Sequence, residues 1–294
     1  MSFIICKEVL IVTYLMSAIL GLVQGVAEFL PISSSGHLTL LQHFFGMEEP
    51  DQLFNILLHF ATLLAVCIYY FQDVLGMILE FFRGIAAMFS RQPGQGEPPE
   101  TRRLVFLVIV GTLPLFLILP VKKYVEGLGS SPVFVSFALL VTGCILFLSD
   151  RMATGRKTAR SATVKDVLLV GVAQGIATIP GLSRSGCTIS AGMALGFRRE
   201  FAVRYSFLMS LPAVFGATLL EVKDTLSAGA GIPDGMLGKY LLGMVIAGVV
   251  GYFAIRLVNL LADKGKFGAF AYYCWIAGAI FLVLSLLGVT FVHA

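Results

Sequence analysis

Six stretches of this chain, at about residues 54–71, 103–120, 132–150, 204–221, 238–261 and 269–291, run close to 20 residues each with scarcely a charged side chain. An α-helix rising 1.5 Å per residue needs about that length to cross the hydrocarbon core of a bilayer. Inside lipid every backbone N–H and C=O must find its partner within the protein, and a run of this length satisfies them as a helix. Composition agrees: 57% of residues are hydrophobic, 13% are charged and the mean hydropathy is +0.91, against roughly 25% charged residues in soluble domains. The expected fold class is an all-α polytopic membrane protein with about six transmembrane helices, forming one integral membrane domain over residues 1–294.

Two further segments are apolar but interrupted. LGLVQGVAEFLPISSSGH (20–37) places a carboxylate, three hydroxyls and an imidazole in apolar surroundings, and VGVAQGIATIPGLSRSGC (170–187) repeats its pattern. A shift of 150 positions superposes Gly171 on Gly21, Gln174 on Gln24, Gly175 on Gly25, Ala177 on Ala27, Ser183 on Ser33, Ser185 on Ser35 and Gly186 on Gly36, without a gap. The chain therefore reads as two copies of one unit, about 9–150 and 165–294. Each interrupted segment (about 9–45 and 166–197, with a turn at 31–36 in the first) reads as a re-entrant helical hairpin. Non-helical backbone at membrane depth is tolerated where protein buries it or a wet cavity meets it. Residues 73–90 read as an interfacial helix.

Arg151, Arg156, Lys157 and Arg160 form the most basic short loop, which places it in the cytoplasm. Counting crossings from there brings the first hairpin in from outside and the second from inside, an inverted-topology repeat. Lys264 and Lys266 on the inside and the acidic Glu48–Asp51 on the outside agree; Lys122 and Lys123 on the outside oppose. The net charge of +4 is loop bias and too dispersed for nucleic acid. Five scattered cysteines without metal spacing predict neither a disulfide framework nor structural zinc. The apolar start after Lys7 lacks a cleavage site and is read as retained.

An ionisable group at membrane depth costs at least about 2.5–3.5 kcal/mol, so Glu28, His37 and Arg184 each require a partner or a task. An ion pair locking the hairpins together would answer for the charges but not for the hydroxyls and glycines around them. A shared pocket answers for both. Backbone N–H groups at a half-helix start, serine hydroxyls and a guanidinium that grips oxygens bidentately describe a phosphate site, with Ser33, Ser35, Gly181, Ser183, Ser185, Gly186 and Thr188 as its donors and scaffold. Glu28, with Gln24 four residues earlier on the same face, suits a divalent cation held against phosphates. Ser34, or a water in its place, is the candidate nucleophile and His37 its proton acceptor. His43 and His59 are read as structural, and Cys187 as packing.

QGVAE, SSSGH and PGLSRSGCT resemble the signature segments of the bacterial undecaprenyl-diphosphate phosphatase family associated with bacitracin resistance. The likeness extends to LFNILLHFATLLAV and YSFLMSLPAVFGA and covers nearly the whole chain. The resemblance implies hydrolysis of undecaprenyl diphosphate to undecaprenyl phosphate and inorganic phosphate, which recycles the lipid carrier of cell-wall synthesis. It also implies a multi-pass protein of the bacterial inner membrane, a site open to the outer face, and a divalent cation (Mg²⁺ or Ca²⁺). The family's acidic motif falls on Gln24 and Glu28, its serine–histidine motif on Ser33, Ser34, Ser35 and His37, and its phosphate motif on Pro180, Gly181, Ser183, Arg184, Ser185 and Thr188. Some members carry glutamate at the position of Gln24; here one carboxylate remains. The expected partners are a polyprenyl diphosphate lipid, the membrane and, as an open alternative to a monomer, a second copy of the chain in a homodimer. The rival class is a secondary transporter or flippase for a polyprenyl phosphate lipid, since inverted repeats with broken helices are a transporter layout. A soluble-type lipid phosphatase is disfavoured, because no histidine follows Arg184 at the required spacing.

Overall fold

A computed structural model describes residues 13–45, 52–89, 99–152, 155–227, 232, 234–265 and 267–289. Lys7, the acidic stretch 48–51, the loop 90–98 and Lys266 lie outside the described residues. In chain order the helices are α1 (Tyr14–Phe29), α2 (Ser34–Phe44), α3 (Gln52–Tyr69), α4 (Phe71–Phe89), α5 (Glu100–Thr112), α6 (Lys122–Gly127), α7 (Pro132–Met152), α8 (Val164–Ile176), α9 (Arg184–Ala194), α10 (Arg199–Ser227), α11 (Leu237–Asp263) and α12 (Gly268–Leu286). Among the described residues there is no β-strand beyond one isolated bridge, Lys157 with Phe197.

Among the described residues five segments are long and apolar enough to cross a membrane: Glu100–Val125, Pro132–Arg151, Arg199–Thr225, Leu237–Ala262 and Gly268–Leu286. The α3–α4 pair makes a sixth if taken as one broken span. Their outer faces expose Leu117, Phe137, Phe253 and Ile276, a surface for which lipid rather than water is the fitting surroundings. The protein is thus an all-α, multi-pass membrane protein.

Two elements differ locally from the sequence reading, and a third, the separate helix expected at 73–90, agrees with it. The span expected at 103–120 is α-helical only to Thr112 and continues as a 3₁₀ stretch, Leu113–Val121. Pro114 and Pro120 lack the N–H that an α-helix would use. Residues 71–89 do form a separate helix, bent 88° from α3, and at the bend the Arg204 fork takes both oxygens of Asp73 at 2.5 and 3.0 Å. The first polar turn is shorter than 31–36. The chain leaves α1 at Leu30 and is helical again from Ser34, because the Ser33 hydroxyl accepts the Gly36 N–H at 3.1 Å and draws 34–36 into the first turn of α2.

Backbone-to-backbone contact holds the hairpins in place. A Cβ on Gly21 would meet Gly243 O at 2.5 Å and one on Gly25 would meet Ala247 O at 2.7 Å, so α1 lies directly against α11 and runs the same way. A Cβ on Gly171 would meet Gly111 O at 2.1 Å, and one on Gly175 would meet Ile118, so α8 runs alongside α5 and its 3₁₀ extension. Side chains at these glycines would push the helices apart. Helices α7 and α12 pack antiparallel, with Gly143 against Trp275 and Gly278 against Leu140. Short turns join each of them to the span before it, so α1 and α8 point in opposite senses and bring their polar ends together from opposite ends of the bundle.

Candidate active site

The two turns touch, and they do so reciprocally. Ser33 donates to the Leu182 carbonyl at 3.3 Å and Ser185 to the Leu30 carbonyl at 3.5 Å. A Cβ on Gly36 would lie 3.1 Å from Gly181 Cα, and one on Gly186 would lie 3.4 Å from Pro31. Each following helix starts from a serine cap: Ser33 accepts the Gly36 N–H and Ser183 the Gly186 N–H at 3.0 Å. Gly181 sits at φ +93° with Val135 O 2.6 Å from its missing Cβ, a place for glycine alone. Ser33 holds φ +73° without being glycine, a strained conformation of the kind that clusters at functional turns. Thr142, from α7, ties the second turn by donating to the Gly181 carbonyl and accepting the Ser183 N–H, both at 3.2 Å.

Glu28 lies in the last turn of α1 and is buried. Its Oε1 accepts from Arg184 Nη2 across the two hairpins. Its Oε2 accepts from the Ser34 hydroxyl at 2.7 Å and from Gln24 Nε2 at 3.0 Å, and His59 Nδ1 lies 3.4 Å away. The same Gln24 nitrogen stands 2.9 Å from His59 Nδ1. One carboxylate thus gathers an arginine, a serine, a glutamine and a histidine from four helices. Two polar atoms in this cluster are buried without a hydrogen-bond partner among the described residues: Arg184 Nη1 and Gln24 Oε1. Buried polar atoms are normally paired, so each of these two has room for a further partner such as a water or a ligand oxygen.

The remaining expected site residues are divided. Ser33, Ser183 and Ser185 line the junction of the turns, with Ser183 and Ser185 hydroxyls 3.3 Å apart and Ser35 exposed beside them. Thr188 faces elsewhere: it donates to the Arg184 carbonyl at 2.9 Å and stands 2.6 Å from the Ser206 hydroxyl on α10. His37 also faces away from Ser34. Its Nδ1 is 2.8 Å from the Ser33 carbonyl, which can only accept, so Nδ1 carries the hydrogen; Nε2 meets the Tyr273 hydroxyl at 2.8 Å. The Tyr273 ring stacks on the imidazole at 5.6 Å.

His59, read from sequence as structural, stands instead against Glu28 and Gln24 in the site, and Tyr273 was not singled out from sequence at all. For His59 a signal existed, since an ionisable ring inside the apolar run 54–71 meets the same test that picked out Glu28. For Tyr273, one aromatic among many in α12, the sequence offered none.

The fit of a divalent cation rests on the orphaned Gln24 Oε1 beside the Glu28 carboxylate. Among the described residues no cluster of three or more His, Cys, Asp or Glu could hold a metal alone. One carboxylate and one amide oxygen suit a hard cation that completes its shell with substrate phosphate oxygens, the usual mode for Mg²⁺.

The family model described as bacitracin resistance protein BacA matches residues 17–280. Curated relatives covering nearly the whole chain are named undecaprenyl-diphosphatase. That of Halothermothrix orenii is 41% identical over 267 residues, 90% of this chain and 96% of its own. That of Carboxydothermus hydrogenoformans is 40% identical over 271 residues, 92% and 97% of the two chains. The protein of Methanosphaera stadtmanae with the same name is 39% identical over 280 residues, 92% and 98%. Two capped turns clasping one carboxylate and one guanidinium thus stand in a chain that belongs to the bacitracin resistance protein BacA family.

Proposed function

We infer that this chain is an undecaprenyl-diphosphate phosphatase: a hydrolase that converts undecaprenyl diphosphate to undecaprenyl phosphate and inorganic phosphate and so recycles the lipid carrier of cell-wall synthesis. The observation that carries the reading at the site is the pairing of a hydroxyl already hydrogen-bonded to a carboxylate with a guanidinium arm that has no partner among the described residues, Ser34 on Glu28 and Arg184 Nη1.

In the proposed reaction the diphosphate head enters between the two turns and the isoprenoid tail stays among the spans. Ser34 Oγ attacks the terminal phosphorus, the bridging P–O bond breaks, and undecaprenyl phosphate leaves. The serine proton passes to Glu28, the group within hydrogen-bond reach of it. Water then cleaves the phosphoserine and releases inorganic phosphate. Arg184, anchored to Glu28 by one nitrogen, turns its other toward the phosphoryl oxygens, and the N–H groups at the start of α9 add positive potential there. His37 acts one step back, holding the Ser33 carbonyl and with it the start of α2. Gln24 and Glu28 would hold a divalent cation, which neutralises charge on the diphosphate when bound. We place the protein in the inner membrane with this site open to the outer face, from the side on which the basic loop 151–160 falls.

The test is phosphate release from prenyl diphosphates of 15 carbons and longer, with and without EDTA, by purified wild-type, Glu28→Gln and Arg184→Ala proteins. Rapid quench with labelled substrate should trap a phosphoserine that Ser34→Ala lacks. Lipid translocation without phosphate release would replace the hydrolase by the transporter reading, and full activity of Ser34→Ala would make water the nucleophile.

A further inference from the structure

The α7–α12 pair ends, on the side of the basic loop 151–160, in a cavity of about 390 Å³ that the reaction above does not use. It is lined by Phe147, Asp150, Arg151, Gly268, Ala269 and Tyr272. The one acidic lining residue is already neutralised. Asp150 Oδ1 accepts from Arg199 Nη1 at 2.8 Å and its Oδ2 from the Gly268 N–H at 3.2 Å. Arg151 is in a different state. It is exposed, its guanidinium carbon lies 4.1 Å from the centroid of the Phe147 ring, and it makes no ion pair among the described residues. A guanidinium laid on an aromatic face keeps its N–H edge turned outward and ready for an oxyanion.

Depth and surroundings narrow the anion. Arg151 is the last residue of one apolar span and Gly268 the first of another, Pro132–Arg151 and Gly268–Leu286, which sets the cavity where hydrocarbon gives way to headgroups. Phe147, Tyr272 and Trp275 form one aromatic wall beside it, with ring centroids 5.2 to 6.4 Å apart, and such residues collect at that boundary. With Asp150 balanced by Arg199, the lining carries the uncompensated charge of Arg151.

We propose that this cavity binds the phosphate of an anionic phospholipid headgroup. The Arg151 fork grips two phosphate oxygens, the Tyr272 hydroxyl adds a donor, and the aromatic wall takes the glycerol and upper acyl chain. The shared chemistry is an oxyanion of phosphorus, so free phosphate is the other source to be separated from lipid.

Purified wild-type, Arg151→Ala, Arg151→Lys, Tyr272→Phe and Arg160→Ala proteins in non-ionic detergent are titrated with phosphatidylglycerol, phosphatidylcholine or inorganic phosphate. Binding is read by native mass spectrometry and by the shift in melting midpoint. Phosphatidylglycerol should bind saturably to wild type and about tenfold or more weakly to Arg151→Ala, the scale of a charge-assisted hydrogen bond. Arg151→Lys should fall between, since the charge stays and the planar fork goes. Arg160→Ala, another exposed arginine on the same side, paired with Glu100, should match wild type, and so should phosphate release by Arg151→Ala. Arg151-dependent binding of inorganic phosphate at equal affinity would keep the site and assign it to free anion. Equal affinity for phosphatidylglycerol and phosphatidylcholine, or an Arg151→Ala protein that melts like wild type and binds phosphatidylglycerol as well, would overturn the proposal.

Discussion

Ser33 and Ser183 do the same work in the two turns, whereas the residues beside them do opposite work. Both serines cap the helix that follows, through the N–H of the glycine three residues on. Both turns sit on a neighbouring helix through glycine contacts, α1 on α11 and α8 on the α5 extension. The first hairpin then supplies a carboxylate and the second a guanidinium, and at the shifted positions Glu28 faces Thr178, Ser34 faces Arg184 and His37 faces Cys187. Thr178 is exposed and bonded to its own turn, donating to the Gly175 carbonyl at 2.7 Å. Scaffold is alike in the two turns, while charge is divided between them. Two similar turns can therefore build one asymmetric site without either holding it alone.

The largest test of that division removes one charge at a time. Glu28→Gln and Arg184→Ala should each lower phosphate release by at least about a hundredfold, the scale seen when a dedicated charge stabiliser is lost. Each should also lower stability by about 3 kcal/mol, because the partner is left buried and unpaired. The double variant Glu28→Gln with Arg184→Gln should recover most of the melting midpoint and none of the turnover; a double variant that still turns over would show that the pair is structural only. Next in size, His59→Leu should cut turnover by about tenfold, roughly 1.4 kcal/mol, by loosening the Gln24–Glu28 arrangement. Its counterpart test, Met209→Leu at the position 150 residues on, should leave turnover at wild-type level, as measured by the same assay.

Cap removal should be more even-handed. Ser33→Ala and Ser183→Ala should each cost about 1 kcal/mol in melting experiments, and Ser33→Gly should cost less than Ser33→Ala because glycine accepts φ +73°. The smallest effect belongs to the outer ends of the hairpins. Thr13 and Thr163 both cap, but only α8 has a full capping box, with Asp166 accepting the Thr163 N–H and the Lys157 ammonium, each at 2.9 Å. Burial alone would raise the Asp166 carboxyl; those two donors win and hold it below its ordinary value. A lowered folded-state pKa means stabilisation that is present above about pH 4 and is lost as pH falls further. Asp166→Asn should remove it, at under about 1 kcal/mol near neutral pH, and should flatten the acid limb of the melting midpoint against pH.

Much of this layout was legible because lipid is an exacting solvent. Runs such as 132–150 and 269–291 admit one conformation, and a carboxylate such as Glu28 inside such a run demands a partner, which the structure supplies in Arg184. The likeness of the two turns was readable too: the shift of 150 positions puts Ser183 on Ser33, and both are caps. Contacts between elements far apart in sequence were not. His59 reaches Glu28 from another helix, and Tyr273 reaches His37 from 236 residues away; hydropathy records depth but not which faces meet. The 3₁₀ stretch was hidden for the opposite reason, since LPLFLILP is apolar throughout and only Pro114 and Pro120 reveal that its hydrogen bonding must change.

The Glu28–Arg184 clasp joins residues 156 positions apart, and that separation bears on how the protein is made. A ribosome delivers the carboxylate to the membrane long before its counter-ion exists, at a standing cost of a few kcal/mol for an unmatched charge in hydrocarbon. The first elbow must therefore wait near water until the second emerges. Alkylation during translation of a Leu30→Cys chain that keeps Glu28 and has its five native cysteines replaced by alanine should find that position open to a water-borne reagent in products ending before α8 and shielded once α9 has been synthesised; equal reactivity in both would mean that the first elbow settles unaided.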